Sequence, residues 1–522
     1  MKLVKSLLLG TAAGLIAVGG AQAADLPVKA KAVEYVKVCS LYGAGFYYIP
    51  GTDTCVKLGG YLRVDVLANT NMDSNGNTSA QAGAQNRFTN GYTWRSREDL
   101  NVDTRTATEY GVVRTFFDAV FQWTSDTYTG NGGSSIYGAI GTAAGGNNAT
   151  QGSVAYGTVG VWYAFVQFAG FTMGKAVSQF SAPWAAYPGN NIDGLVGGSN
   201  TITGVNQFTY TADFGQGVTA AISAQDQTVY TQAGINNLDA GGLFGASNYA
   251  GTVSPDIIGM VRVDQAWGLF QASIALHDNH AAYYGGTVNG ISAANGGIAI
   301  ANSGTELAGH PQDKWGWAGQ LALSIKNLPT GAGDTINIQG VYTNGATRYN
   351  IQDLAAPAGS ATIYGGTNLP GAYQSIGFGM APDAVFATGT GQQLISTWGM
   401  RGAFTHNWDP YWSTSLYGAY ATVSYNTTAK NLVCDSLGGF GAQHGITRCN
   451  PDYSIGQIGL VQRWTPVKNL TFSADVTYTM LDQNMAGTIT QAANVGIGKP
   501  GATYEFKDQN TWTMLLRAQR NW

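Results

Sequence analysis

From Leu470 to Met480 apolar and polar residues alternate without a break. Leu470, Phe472, Ala474, Val476, Tyr478 and Met480 fall on one face, and Thr471, Ser473, Asp475, Thr477 and Thr479 on the other. Such period-two alternation over about ten residues marks a strand with one greasy and one wet face. The same pattern sets Trp315, Trp317, Leu321, Leu323 and Ile325 against Gln320, Ser324 and Lys326, and Phe208, Tyr210 and Phe214 against Gln207, Thr209, Thr211 and Asp213. Near the start of the pattern, Leu58, Leu62, Val64 and Val66 oppose Lys57, Tyr61, Arg63 and Asp65, so charged groups occupy the face away from the apolar one. At the end, Trp512, Met514, Leu516, Ala518 and Trp522 oppose Thr513, Arg517 and Gln519, which suits closure of a last strand against the first. Arg520 breaks that apolar face close to a rim, where a long side chain snorkels.

Followed along the chain, the alternation predicts sixteen strands near 56–68, 92–104, 108–124, 158–168, 171–177, 206–214, 218–226, 255–266, 268–277, 314–326, 334–343, 395–407, 412–425, 454–465, 469–480 and 510–522. Connections alternate between short turns, such as Gly215-Gln216-Gly217 and Ala266-Trp267-Gly268, and long Gly/Asn/Ser/Thr-rich stretches such as 125–157, 278–313 and 344–394. That is the arrangement of an all-β, 16-stranded antiparallel transmembrane β-barrel. The uncharged run from Val154 to Met173 resembles a membrane helix in hydropathy. Its glycines and β-branched residues instead fit a hairpin turning at Ala169-Gly170. A soluble sandwich also alternates, but it has no reason to place aromatics at strand ends. Trp94, Trp123, Trp267, Trp315, Trp408, Trp412, Trp464, Trp512 and Trp522 all lie near one, as interfacial girdles require.

The first residues add an address. Lys2 and Lys5 precede an apolar stretch from Leu7 to Val18 and then Ala21-Gln22-Ala23, so residues 1–23 read as a signal peptide cleaved before Ala24. Export leads to an oxidising compartment, where the local pairs Cys39 with Cys55 and Cys434 with Cys449 are expected as disulfides. Residues 24–55 then form a periplasmic N-terminal segment ahead of a barrel spanning 56–522. Charged residues make up only 11% of the chain, against about 25% in ordinary soluble domains, which disfavours a soluble helical protein. The acidic balance makes nucleic acid an improbable partner.

Candidate chemistry is sparse. His277 and His280 form an isolated H-x-x-H with no further clustered ligands, so no metal site and no cofactor are expected. Gly170-Phe171-Thr172-Met173-Gly174-Lys175 is one residue short of a phosphate-binding loop and lacks the following Ser/Thr. No hydrolase or metalloprotease motif occurs, and an enzyme is not expected. A surface β-rich adhesin would favour fixed-length repeats, and none is found.

The stretch Tyr35-Val36-Lys37-Val38-Cys39, then Tyr42 to Thr52, Cys55 and Gly59-Gly60-Tyr61-Leu62-Arg63-Val64-Asp65, resembles the start of the alphaproteobacterial outer-membrane porins. The hairpin Phe165 to Lys175 is similar to that family's approach to its third loop. The resemblance implies a homotrimer in the lipid of the bacterial outer membrane, with a water-filled lumen for passive diffusion of small hydrophilic solutes and ions. It also implies an inward-folded third loop, by position about Ser178 to Val205. A sugar-selective or otherwise substrate-specific channel is the alternative. Between Lys175 and Asp213 the only charged residue is Asp193, so an acid-rich constriction loop is not expected.

Parity puts Arg63, Asp65, Arg95, Arg97, Asp99 and Arg114 on the lumen face, the wall that lies opposite the inward loop in porins. One expectation is that Arg63, Arg95, Arg97 and Arg114 face Asp193 across the constriction and set up a transverse field with a mild anion preference. The plainer one is that these arginines pair with Asp65, Asp99 and Asp103 along the wall. Lys57, Lys175, Arg262, Arg401, Arg463 and Arg517 are further lumen candidates. Glu98 has apolar-face parity, which suggests a bulge or a strand end nearer the outer rim.

Overall fold

The computed structural model describes residues 37–69, 92–124, 153–154, 157–228, 231–240, 245–285, 303–352, 362–365, 375–441, 445–491 and 500–522. The expected signal peptide lies outside the described residues.

Sixteen long strands follow in sequence: β1 (Cys55–Asn69), β2 (Tyr92–Thr108), β3 (Gly111–Thr124), β4 (Gly157–Phe168), β5 (Phe171–Ala176), β6 (Val205–Asp213), β7 (Val218–Gln225), β8 (Asp256–Gln265), β9 (Gly268–Asn279), β10 (Lys314–Lys326), β11 (Thr335–Asn344), β12 (Ser396–Asn407), β13 (Trp412–Ser424), β14 (Tyr453–Val467), β15 (Leu470–Gln483) and β16 (Gln509–Asn521). Each pairs antiparallel with the next, and β16 pairs back onto β1, from Tyr61 opposite Asn521 to Asn69 opposite Thr513. The sheet is therefore a closed barrel without a free edge, so every strand has a partner on both sides. The strands fall within a few residues of the bounds that the alternation predicts.

Alternation sorts the two surfaces as a membrane demands. Leu58, Leu62, Phe208, Ile274, Leu321, Ile458, Leu460, Met480, Met514 and Leu516 are exposed on the outside, together with the girdle tryptophans Trp94, Trp123, Trp315, Trp412, Trp464 and Trp512. Inward positions carry Asp65, Arg95, Gln271, Gln320, Gln339, Arg401, Gln457, Asp475 and Thr511, all buried. Tight turns close one end of the barrel, at Glu109-Tyr110, Ala169-Gly170 and Lys468-Asn469. At Ala169-Gly170 both residues have positive φ, 48° and 85°, the conformation of a two-residue hairpin turn.

Long connections rise from the other end and carry structure that alternation could not reveal. A helix, α1 (Thr427–Gly441), and small sheets built from segments such as Ser375–Phe378, Ala384–Phe386 and Ala486–Gln491 belong to them. Their apolar residues Ile376, Phe378, Val385, Val433 and Ile489 pack with the inward-facing Ala421, Val423, Ile455 and Leu481 of β13, β14 and β15. The inward face of those strands is apolar at this end because it is covered by protein and not by water. Both expected disulfides are formed, Cys39–Cys55 and Cys434–Cys449. The second joins α1 to the chain just ahead of β14.

Candidate functional site

Between β5 and β6 the chain enters the barrel. Residues 177–204 run along the inner wall and are held there chiefly through their own backbone. Gln320 Nε2 donates to Phe180 O at 2.8 Å, and Asn337 Nδ2 donates to Pro188 O at 2.6 Å. The N–H of Val196 donates to Gln457 Oε1 at 2.9 Å, and those of Asn191 and Ile192 donate to Asp475 Oδ2 at 2.7 and 3.0 Å. Arg401 donates to Ala185 O, Leu195 O and Ser199 O at 2.5–3.1 Å, so this candidate pore arginine is an anchor for the segment, fully buried beneath it. A non-repetitive backbone inside a barrel needs such partners, because each of its buried N–H and C=O groups is costly when unpaired. Glycine admits the close approach. A Cβ on Gly197 would lie 2.4 Å from Met400 C, and one on Gly198 2.0 Å from Gln339 Nε2.

The segment is braced against β9–β16 and leaves open a space bordered by β1–β4 and by part of β14–β16. A cavity of about 550 Å³ lies there, lined by Tyr61, Arg63, Asp99, Asp118, Trp162, Tyr163, Tyr187, Asn190, Arg463 and Arg517 among others. Arg63 and Arg97, both expected at the constriction, are in or beside it. Arg63 Nε donates to Gln519 Oε1 at 2.8 Å, and Arg97 donates to Gln122 Oε1 at 2.6 and 3.1 Å. Arg97 lies within electrostatic reach of Asp193, which accepts the Tyr187 hydroxyl.

The other two expected members of the field are elsewhere. Arg95 is an ion-pair partner of Asp65, with side-chain exposures of 2% and 0%, and Arg517 Nε closes on the same carboxylate at 2.7 Å. Arg114 bonds Asp103 at 3.1 Å, alongside Arg105 at 2.9 Å. For these residues the wall-pairing expectation describes the structure. Neighbouring strands set opposite charges side by side, and a carboxylate one row away satisfies a guanidinium sooner than a loop acid across the lumen. Of the remaining lumen candidates, Arg262 faces inward and bonds Gln271 Oε1 at 2.8 and 3.0 Å. Lys57 has inward parity at the turn end, with its ammonium 5.9 Å from the Phe46 ring centroid.

Two expectations are corrected. Lys175 pairs in register with Ala164 and Asn206, on the outward parity of β5, and its Nζ donates to Val161 O at 2.6 Å. Glu98 also faces outward, but through an unbroken register in which it pairs with Leu62 and Phe121, so neither a bulge nor a strand end explains it. The bulge lies between β3 and β4 instead. Asp118 pairs with Tyr163 while Ala119 pairs with Val161, leaving Trp162 as the extra residue. That insertion turns Trp162 into the lumen beside Tyr163, with the Arg97 guanidinium 4.8 Å from its ring centroid.

The amino-acid sequence matches the model of the porin subfamily across residues 25–515. The chain belongs to this porin family. The porin Omp2b of Brucella suis biovar 1 (strain 1330) is 33% identical over 276 residues, and the same figures hold for Omp2b of Brucella abortus (strain 2308). That alignment covers 52% of this chain and 65% of the relatives, so the chain spans less than two thirds of their length. Among solved structures, the outer membrane channel DcaP of Acinetobacter baumannii superposes with a TM-score of 0.53 at 13% identity, covering 91% of this chain and 99% of that one. It shares the fold of this porin.

Proposed function

We propose that this porin forms a water-filled channel in the bacterial outer membrane, through which small hydrophilic solutes and ions diffuse passively. The observation that carries the reading is the cavity bordered by β1–β4 and β14–β16, lined by charged and polar side chains and bounded by an inward segment that is anchored to the barrel wall. A barrel of about 16 strands is wide enough to leave an aqueous passage. Narrowing it by a segment anchored to the wall sets an exclusion size. The names of the relatives, Omp2b porins, agree with this reading.

A homotrimer is part of the proposal. Glu98 supports it, because a carboxylate of outward parity within β2 has no hydrogen-bond or ion-pair partner among the described residues. Facing lipid, such a group is costly. A neighbouring subunit that covers β1–β3 removes that contact.

Arg63 and Arg463 line the cavity without a carboxylate at ion-pair distance among the described residues, and Arg97 lies beside it in the same condition. Asp99 and Asp118 oppose them. Counting Arg517, whose partner Asp65 is also neutralised by Arg95, four guanidiniums face Asp99, Asp118 and Asp193, which gives a mild anion preference. Purified protein in a planar bilayer tests the reading. Stepwise ohmic conductance is expected, in groups of three for the trimer, with a reversal potential of anionic sign in a salt gradient. Absence of conductance would overturn the channel, and clear cation selectivity would overturn the charge assignment.

A further inference from the structure

We propose that the constriction contains a subsite for zwitterions of the α-amino-acid type, with one pole for an ammonium, one for a carboxylate and an aromatic face between them. This inference rests on the channel reading above.

The ammonium pole is set by which aspartates are neutralised and which are not. On the inward faces of β1–β3, Asp65 is held by Arg95 and Arg517, and Asp103 by Arg105 and Arg114. Asp99 and Asp118 have no cation at ion-pair distance among the described residues. They are near neighbours on the inward faces of the paired strands β2 and β3, and Asn101 Nδ2 donates to Asp99 Oδ1 at 3.4 Å. Both line the cavity, at 3% and 5% exposure, and Asp118 Oδ1 has no hydrogen-bond partner among the described residues. So does Asn190, 3% exposed, whose Oδ1 is likewise unpartnered. Buried acceptors without donors are unfavourable. An ammonium supplies three N–H donors and the missing positive charge together.

The carboxylate pole follows from the opposite imbalance. Arg63 and Arg463 line the same cavity and bond only neutral acceptors. Arg63 bonds Gln519, while Arg463 Nη1 donates to Ser415 Oγ at 2.7 Å and its Nη2 to Gly189 O at 2.6 Å. Arg63 acts on Asp99 through space, yet no ion pair closes between them. A guanidinium stays charged at any relevant pH and matches a carboxylate in shape. Trp162 lies in the same cavity, turned inward by the bulge, and offers a face on which an apolar side chain can rest. A neutral sugar satisfies neither pole, and a simple anion satisfies only one.

Current block on the full-length native chain in a bilayer tests this with four probes: phenylalanine, N-acetylphenylalanine, protonated phenylalanine amide, and the doubly capped N-acetylphenylalanine amide. Half-block by phenylalanine is expected at about tenfold lower concentration than by either singly charged probe, with the doubly capped one weakest. In Asp99→Asn/Asp118→Asn the advantage of phenylalanine over its N-acetyl form should vanish. In Arg63→Gln its advantage over the amide should vanish. If the double variant does not insert, the native series and Arg63→Gln decide. Equal block by all four probes, or by N-acetylphenylalanine and phenylalanine, overturns the subsite while leaving the channel intact. No current at all overturns the channel and the subsite with it.

Discussion

The carboxylate of Asp475 on β15 accepts the backbone N–H of Asn191 at 2.7 Å, fixing the middle of the inward segment to the barrel wall. The same Oδ2 takes the N–H of Ile192 at 3.0 Å, and the other oxygen takes the Tyr417 hydroxyl. Replacing it by alanine removes a charged acceptor and strands two backbone N–H groups, that of half-buried Asn191 and that of buried Ile192. Hydrogen bonds to charged groups contribute about 1.5–3 kcal/mol each. We expect Asp475→Ala to leave the barrel folded and free the segment locally. Faster hydrogen exchange at 188–196 and noisier current would be seen, and unchanged exchange there would show that the remaining anchors suffice.

Asp65 is the second point of leverage, because it neutralises Arg95 and Arg517 together. Asp65→Asn keeps the shape and removes the charge, leaving the guanidiniums of β2 and β16, the two strands that flank β1, without their shared carboxylate. Breaking a buried pair from one side costs about 3–5 kcal/mol. The barrel of this variant should unfold at lower temperature than the wild type in detergent. A transition within about 1 °C of the wild type would mean that the two arginines find other partners.

These two residues also show what could be read in advance. Their inward parity followed from alternation alone, and so did nearly every strand, because lipid on one side and polar surroundings on the other impose a period that the side chains must obey. Which arginine meets which carboxylate did not follow. Asp65 was legible as a lumen group, but its pairing with Arg95 depends on the register of β1 against β2, to which period two is blind except in sign. Trp162 was missed because one inserted residue in β4 reverses parity for what comes after it, and Lys175, on β5, fell on the other surface from the one expected. The anchoring role of Arg401 was illegible because it serves carbonyl groups more than two hundred positions earlier. The helix α1 and the small sheets in the long connections were unreadable for a different reason: their apolar residues pack on one another, with no lipid to impose a period.

At the turn between β10 and β11, Asp334 accepts the Thr330 hydroxyl at 2.6 Å, the Asn407 N–H at 2.9 Å and His406 Nδ1 at 2.7 Å. Burial opposes the charged form, but these donors outweigh it and hold the carboxyl down at about 2, below its usual 3.8. A depressed carboxyl favours the folded turn above the ordinary value and loses that contribution as pH falls through the lowered one. The turn at 327–334 should therefore stay protected at pH 4 and loosen on approach to pH 2. Hydrogen exchange across that interval checks it. In Asp334→Asn the pH dependence should disappear, and loosening that persists in the variant would assign it to another group.

Trp162 joins the bulge to the width of the passage. Its ring occupies the cavity beside Tyr163 and lies under the Arg97 guanidinium, a contact of about 0.5–2 kcal/mol depending on how dry it is. Trp162→Ala removes the largest side chain that the bulge presents and leaves Arg97 with Gln122 as its hydrogen-bond partner. We expect a higher single-channel conductance, entry of larger neutral solutes in liposome swelling, and a loss of stability of about 1 kcal/mol. Trp162→Phe should fall between the two, because it keeps an aromatic face and gives up part of the volume. If conductance and exclusion size are the same in all three proteins, Trp162 does not border the narrowest section, and the constriction must be set by the arginines and residues 177–204 alone.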